Sequence, residues 1–253
     1  MKLVSIIMPY YKKKAFIKDA INSVLRQSYK RFELIIIYDD KNLEDYEFIS
    51  NLVRKDNRIK LLKNKRNLGS GLSRNLGIKY SKCHYLAFLD SDDLWFKNKL
   101  KKQLDFMKKN KLCISFTAYK IINENNKIIG YRKAKKIINF SDLINSCDVG
   151  LSTVIAKSSL IKKKFFFPDL KTKEDYVFWL NISRNNNFYG LNQKLSVWRR
   201  LSNSLSSNFF QKFFDGYLVY YKYMKYNSFK SFYCLFILSC YYLKKRLYEF
   251  IYS

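Results

Sequence analysis

Between residues 4 and 119, short and nearly continuous apolar runs alternate with stretches of helical periodicity, and this alternation limits the fold more than any other feature. Residues 4–8 (VSIIM), ending at Pro9, read as a strand buried on both faces, as in a parallel sheet. Apolar residues then recur at spacings of three and four over Phe16, Ile17, Ala20, Ile21, Val24 and Leu25, which predicts a helix. Residues 32–38 (FELIIIY), 59–62 and 85–89 read as further strands, with helices expected over 43–53 and 69–80. A helix over 96–109 and a strand over 113–119 complete the series. Such a chain predicts an α/β fold, a doubly wound and mostly parallel sheet with helices on both faces. Ligands of these sheets lie beyond the carboxyl ends of the strands. Here those ends carry Pro9-Tyr10, Asp39-Asp40 and Asp90-Ser91-Asp92-Asp93.

Beyond residue 120 the alternation weakens. Residues 128–131, 153–156 and 195–199 read as short strands, and 173–183 as a helix. Two Pro and seven Gly in 253 residues leave no room for a Pro/Gly linker, so 1–208 is expected to be one domain with halves 1–119 and 120–208. Residues 209–253 differ, with 18 of the chain's 45 aromatic residues, seven Lys or Arg and two acidic residues. Their aromatic spacing predicts two helices joined near Tyr226-Asn227-Ser228, a C-terminal aromatic extension. Three readings stand for it. The helices cap the domain's core, or they lie on a membrane with Lys244-Lys245-Arg246 at the headgroups, or they stack on nucleic acid.

Composition narrows the chemistry. Five Cys without a CxxC pair and a single His, His84, exclude a zinc-ligand cluster and argue against a disulfide framework. The start (MKLVSIIMPYYKKK) has too short an apolar run for a signal peptide, and residues 233–243 are about half the ~20 residues a membrane span needs. A cytoplasmic location is therefore expected. The net charge of +29 favours anionic partners. Abundant Lys, Ile, Asn, Phe and Tyr equally reflect A/T-rich coding, so charge alone selects no partner.

Against this basic background the three acidic groups stand out: Asp39-Asp40, Asp90 to Asp93, and Glu174-Asp175 at a helix start. Asp-x-Asp directly after a buried strand suits a hard cation, Mg²⁺ or Mn²⁺, that keeps positions open for phosphate and water. No Walker loop or GxGxxG follows the first strand. Arg66 and Arg74, flanking Gly69-Ser70-Gly71, are candidate phosphate partners. A serine nucleophile lacks its GxSxG elbow.

Four blocks in order, VSIIMPYYKKKAFIKDAINSVLRQSY, FELIIIYDD, NLGSGLSRNLGIKYSKCHYLAFLDSDDLW and TKEDYVFWL, resemble the inverting glycosyltransferases of family 2, with the GT-A fold. The resemblance runs from Val4 to about Asn208. The stretch 195–208 (LSVWRRLSNSLSSN) is similar to that of bacterial cell-surface polysaccharide members, and it departs from the QxxRW motif of processive synthases. Lys41 to Asp45 replaces the usual GSTD after the Asp pair. The resemblance implies a nucleotide-sugar donor held by Pro9, Tyr10, Asp39, Asp40 and Asp90, and a metal, Mg²⁺ or Mn²⁺, on Asp92. It implies Asp175 as the base that activates a glycan or lipid-linked acceptor, with Glu174 beside it on the acceptor side. It places the donor in 1–119 and the acceptor in 120–208; the aromatic and basic residues of 209–253 carry the expectation of peripheral membrane contact. No nucleic-acid partner is expected. The rival classes are a basic nucleic-acid-binding protein and a metal-dependent nucleotidyltransferase.

Overall fold

The computed structural model describes residues 3–162, 164–202 and 209–251. The alternation becomes β1 (Val4–Tyr10), α1 (Lys14–Leu25), β2 (Phe32–Tyr38), α2 (Leu43–Val53), β3 (Ile59–Lys63), α3 (Ser70–Tyr80) and β4 (Tyr85–Phe88). There follow β5 (Leu94–Trp95), α4 (Lys99–Lys109), β6 (Ile114–Ile122), β7 (Ile128–Arg132), β8 (Ile137–Ile138) and the short α5 (Phe140–Leu143). A 3₁₀ turn at Leu151–Thr153 leads to β9 (Ile155–Lys157), α6 (Ser158–Ile161), α7 (Glu174–Ser183) and β10 (Phe188–Arg199). Beyond them lie α8 (Phe209–Leu218), a π-helical turn (Val219–Tyr223) and α9 (Ser228–Ile251).

Local chemistry accounts for the elements. Every residue of β1 and β2 is buried, as strands covered on both faces must be. In α1 the buried residues Ile17, Ala20, Ile21 and Val24 form one stripe. Asn42 caps α2 by accepting the Asp45 N–H at 3.2 Å.

The described strands form one sheet in the order β3-β2-β1-β4-β9-β6-β10-β5, with β7 on β6 and β8 on β10. The pairs β1–β2, β1–β4, β2–β3 and β6–β10 are parallel. Strand β9 is antiparallel to both β4 and β6, which returns β6 and β10 to the direction of β1. The sheet is thus mostly parallel, and the carboxyl ends of β1, β2, β4, β6 and β10 share one rim. Alternate residues of β1 feed two cores: Ile7 packs beside Ile37, Phe88 and α7, while Val4, Ile6 and Met8 pack beside α1, α2 and α4.

One expectation changes, and two boundaries are located against the fold. The division at 119/120 falls inside β6, so the two halves share a continuous sheet. The strand expected over 195–199 is the end of the twelve-residue β10, whose exposed Asn192, Gln193 and Lys194 and shifted register hide its first part. The boundary at 208/209 falls beside residues 203–208, outside the described residues, as does the end of the 195–208 block.

Helix α7 explains the C-terminal helices. Tyr176 to Leu180 are all buried, and a helix apolar on every side needs cover on every side. Val219, Tyr220, Met224, Cys234, Leu235 and Leu238 supply it, in the same core as Trp179. The Tyr176 and Tyr220 hydroxyls lie 3.1 Å apart and donate to the Leu143 and Ile144 carbonyls at 2.7 and 2.8 Å. One face of α8 and α9 therefore caps the core. The other is open, with Phe210 and Phe229 exposed by 82% and 86%. Leu235→Ala should destabilise the fold by about 2–5 kcal/mol in urea denaturation, whereas Phe229→Ala should change it by less than about 0.5 kcal/mol.

Candidate active site

Most acidic side chains at the rim are held in place by other parts of the chain. Asp39 is 3% exposed, and its oxygens accept from Asn64 Nδ2 (2.7 Å), Leu68 N (2.8 Å) and Gly69 N (2.8 Å). It fastens the end of β2 to the loop that opens α3, so its carboxylate is occupied within the protein. Asp40, half-buried, accepts the Lys12 N–H at 3.1 Å and the Lys41 N–H at 2.7 Å. Lys12 takes a positive φ of 50°, a costly conformation for a lysine, and this turn presses the β1 and β2 ends together.

Tyr10 departs from the expectation. Its ring is fully buried, stacked on Tyr38 at 5.1 Å, and its hydroxyl donates to Asp45 at 2.6 Å. Burial and that bond push the hydroxyl's pKa upward. Pro9 is also buried. What Pro9 and Tyr10 present at the rim is backbone, and Tyr11, half-buried, is the next ring along.

Arg74 also stands elsewhere than expected. It is 4% exposed and donates to Asp90 at 2.6 Å and Glu174 at 2.8 Å. Burial disfavours its charge, but the two carboxylates outweigh this and hold the guanidinium above its ordinary pKa. It is a clamp inside the protein rather than a phosphate partner. Glu174 is correspondingly turned inward, with Ser70 Oγ donating to it at 2.6 Å. It anchors the start of α7 from within the protein. A Cβ on Gly71 would sit 2.7 Å from the Pro168 carbonyl oxygen and 3.2 Å from Glu174 Cγ, so this glycine permits the close approach of α3 and α7. Arg66 is exposed on the loop between β3 and α3.

Around β4 the remaining carboxylates gather. Asp92 pairs with Lys13 Nζ at 3.1 Å; burial, then Asp90, raise its pKa. Asp93 is buried, accepting from Ser152 Oγ at 2.5 Å and the Arg199 N–H at 2.9 Å. Its pKa is also raised, by burial first and then by Asp92 and Asp90. Asp175 opens α7, with the Tyr176 N–H donating to it at 2.8 Å. Burial first, then Glu174 and Asp90, push its carboxyl up to about 7, against the pull of Arg74. A cavity of about 240 Å³ joins the two regions, with Asp90 and Asp175 in its wall beside Tyr119, Cys147, Ser152 and Trp198. Residues from β4 and α7, far apart in sequence, thus face one space.

The chemistry of the donor set can be tested against a metal. Among the described residues no three His, Cys, Asp or Glu side chains are grouped to enclose an ion alone. Asp90 and Asp92 do offer two hard oxygen ligands at a strand end, and Mg²⁺ or Mn²⁺ completes such a shell with phosphate oxygens and water. The residues fit an ion shared with a diphosphate.

Several contributors escaped the sequence reading. Lys13, Ser152 and Arg199 hold the Asp90–Asp93 turn, and Arg199 Nε also donates to the Asp92 carbonyl at 3.0 Å. Arg199 lies in the stretch that carried the resemblance, which was its one signal. Asp215 of α8 is buried and accepts from Thr172 N and Oγ1 at 2.9 and 2.8 Å, just before Glu174. Its signal was a lone carboxylate in an aromatic helix. Lys173 at positive φ (63°) completes this junction, its stem against Gly216, where a Cβ would lie 3.3 Å from Lys173 Cε.

This sheet with an acidic rim is the GT-A architecture of glycosyltransferases. Residues 1–349 of S. aureus TarS in complex with UDP-GlcNAc superpose with a TM-score of 0.69 at 21% identity, covering 93% of this chain and 70% of that one. Mannosyltransferase PcManGT from Pyrobaculum calidifontis, in complex with GDP-Man and Mn²⁺, gives 0.67 at 11% identity, covering 88% and 64%. The glycosyl transferase family 2 model matches residues 5–167, and the chain belongs to that family. Among named relatives, the Escherichia coli UDP-Glc:alpha-D-GlcNAc-diphosphoundecaprenol beta-1,3-glucosyltransferase WfgD is 40% identical over 212 residues, 83% of this chain and 82% of that protein. The putative teichuronic acid biosynthesis glycosyltransferase TuaG of Bacillus subtilis is 31% identical over 208 residues, 81% and 82%. The chain is a glycosyltransferase, and the two rival classes fall away.

The clamp can be checked directly. Arg74→Met leaves Glu174 buried without its counter-charge and should cost about 3–5 kcal/mol of stability in urea denaturation. Arg66→Ala, at an exposed site, should change stability by less than about 0.5 kcal/mol.

Proposed function

We propose that the enzyme transfers a sugar from a UDP-sugar to a lipid-linked glycan acceptor, with inversion, in cell-surface polysaccharide synthesis. The observation that carries this is the shared cavity of Asp90 and Asp175. One carboxylate comes from the strand ends where a nucleotide sits, and the other from the helix that closes the space opposite. The relative named for UDP-Glc and a diphosphoundecaprenol acceptor supports both substrate classes. Peripheral contact with a membrane through 209–253 belongs to the same reading, because that acceptor is membrane-borne; among the described residues no helix is long and apolar enough to cross a membrane.

In this reading the backbone at Pro9 and Tyr10, and the Asp40 loop, form the nucleoside's bed. Asp90 and Asp92 would hold Mg²⁺ or Mn²⁺ beside the donor's phosphates. The ion, when bound, offsets the charge that grows on the leaving nucleotide. Asp175 accepts the proton of the acceptor hydroxyl as that oxygen attacks the anomeric carbon from the face opposite the nucleotide. A pKa of about 7 suits a base working near neutrality. Arg74 and Glu174 keep Asp175 aimed, and Trp198, Tyr119 and Cys147 wall the acceptor side. Alignment of the two substrates supplies a large part of the rate.

The first test is a screen of UDP-glucose, UDP-GlcNAc and GDP-mannose with Mn²⁺ or Mg²⁺, read as thermal stabilisation and nucleotide release. A UDP-sugar should respond; a response to GDP-mannose alone would overturn the donor assignment. Asp92→Asn should keep the fold and lose the divalent-dependent part of that response. Asp175→Asn should lower kcat by about 10²- to 10⁴-fold with near-normal donor affinity. In the parent enzyme the rate should rise with pH through about 7, since the base works deprotonated. Retention of that rise in residual Asp175→Asn turnover would assign the base elsewhere.

A further inference from the structure

We propose that the open face of α8 and α9 docks on a bilayer, and that the cleft at the turn between them takes an anionic phospholipid headgroup. This gives the membrane contact of the preceding reading a surface and a ligand, and it rests on that reading only for the reason the enzyme needs a bilayer.

The face is built at helical spacing. On α9, Ser231, Cys234, Leu235 and Leu238 point into the protein, while Phe229, Phe232, Tyr233, Phe236, Leu243 and Leu247 stay exposed along another side. On α8 and its π turn, Phe210, Phe213, Phe214 and Tyr221 do the same. Tyr217 joins the two rows, stacked on Tyr221 at 5.3 Å and packed on Phe232 at 4.7 Å. The result is one continuous aromatic band. An exposed band of this kind on a folded protein marks an interaction site, and aromatic rings of mixed Phe and Tyr suit the headgroup boundary of a bilayer.

The cleft supplies the polar half. Leu218, Tyr221, Lys222, Lys225 and Tyr226 line an open space of about 480 Å³ beside the band. The π turn and the positive φ of Lys225 (62°) bring these residues round the corner between the helices. Lys230 Nζ lies 4.1 Å from the centre of the Tyr226 ring, adding a third ammonium at its edge. Among the described side chains of 209–247 the carboxylate is Asp215, which is buried and bonded to Thr172. The exposed charges that these helices contribute are therefore lysines, and the acidic neighbour from outside them is the exposed Asp169 near Tyr223.

That charge chooses the occupant. A second copy of the chain meeting this face about a two-fold axis would set Lys222, Lys225 and Lys230 of both copies near each other, more ammoniums than the neighbouring Asp169 of each copy can pair. Phosphate headgroups complement the lysines while the acyl boundary receives the rings, and long lysine stems reach headgroup level over buried aromatics. Helix α8 also packs against Lys173 and Thr172, so the docked face lies one helix layer from the start of α7.

The test is flotation of the full chain with vesicles of phosphatidylcholine, with and without phosphatidylglycerol. The protein should float with the anionic vesicles and far less with phosphatidylcholine alone, and high salt should weaken the binding. Lys222→Ser and Lys225→Ser should each weaken binding to anionic vesicles about fivefold. Phe229→Ser with Phe236→Ser should weaken it on both vesicle types. All these residues are exposed, so nucleotide-sugar stabilisation should be unchanged in every variant; its absence from the parent protein would count against the transferase substrates and leave the docking result standing. Failure of the parent protein to float, or indifference to the lysine changes, overturns the headgroup site. A dimer in sedimentation that Phe229→Ser/Phe236→Ser splits, with flotation unaffected, would assign the face to a second copy instead.

Discussion

The clamp of Arg74 between Asp90 and Glu174 sets the geometry on which the site depends. A parallel sheet gathers strand ends at one rim, and here it gathers carboxylates that repel one another. Without a buried cation between them, β4's turn and α7's start would move apart. Arg74 resolves this from α3, a helix that belongs to neither. The arrangement fixes α7 at its first residue, so the next one, Asp175, is aimed into the cavity by an ion pair it does not join. A guanidinium is required for this task, because its planar fork reaches two acceptors in fixed directions where an ammonium is a point charge.

A second constraint runs through α7. Its sequence, EDYVFWLNIS, begins with two carboxylates and continues apolar on every side, so the same helix has to reach the active site and be wrapped by protein. The sheet covers one side, and α8 and α9 cover another. Asp215 then ties the wrapping to the chemistry, since it holds Thr172 two residues before Glu174. The aromatic helices are accordingly part of the catalytic domain's core on one face, and leave exposed aromatic rings on the other.

The sequence disclosed the fold where burial is local and repetitive. Continuous apolar runs made β1, β2 and β4 legible, and α2 spans the residues 43–53 expected to be helical. Asp90, Asp92 and Asp175 could be singled out because carboxylates at strand and helix ends are rare in so basic a chain. Pairings over a hundred residues left no local trace. Nothing near Arg74 in sequence announces that it will be buried between Asp90 and Glu174, so it read as a phosphate partner. The same holds for Tyr10, whose place was decided by Asp45 on α2. In Gly69-Ser70-Gly71, which matches no phosphate-loop pattern, Gly69 donates its N–H to Asp39 and Gly71 makes room for Glu174. Strand β10 was seen only in part, since bulges and exposed polar residues break the period by which a strand is known.

Charge, the most conspicuous number in the composition, finds its meaning only after the site is located. A net charge of +29 surrounds a rim whose own carboxylates are paired, buried or aimed into a cavity. Asp39 is satisfied by amides, Asp93 by a hydroxyl and an N–H, Asp92 by Lys13, and Asp90 by Arg74. The acidic cluster therefore projects little negative field of its own beyond the rim, while the basic surface around it does project. An anionic donor approaching such a surface is attracted at long range and meets carboxylates only at contact distance, where Lys13 and Arg74 already offset Asp92 and Asp90. The same positive field favours an anionic bilayer on the aromatic face. One surplus of lysine can thus draw in both an anionic sugar donor and an anionic surface.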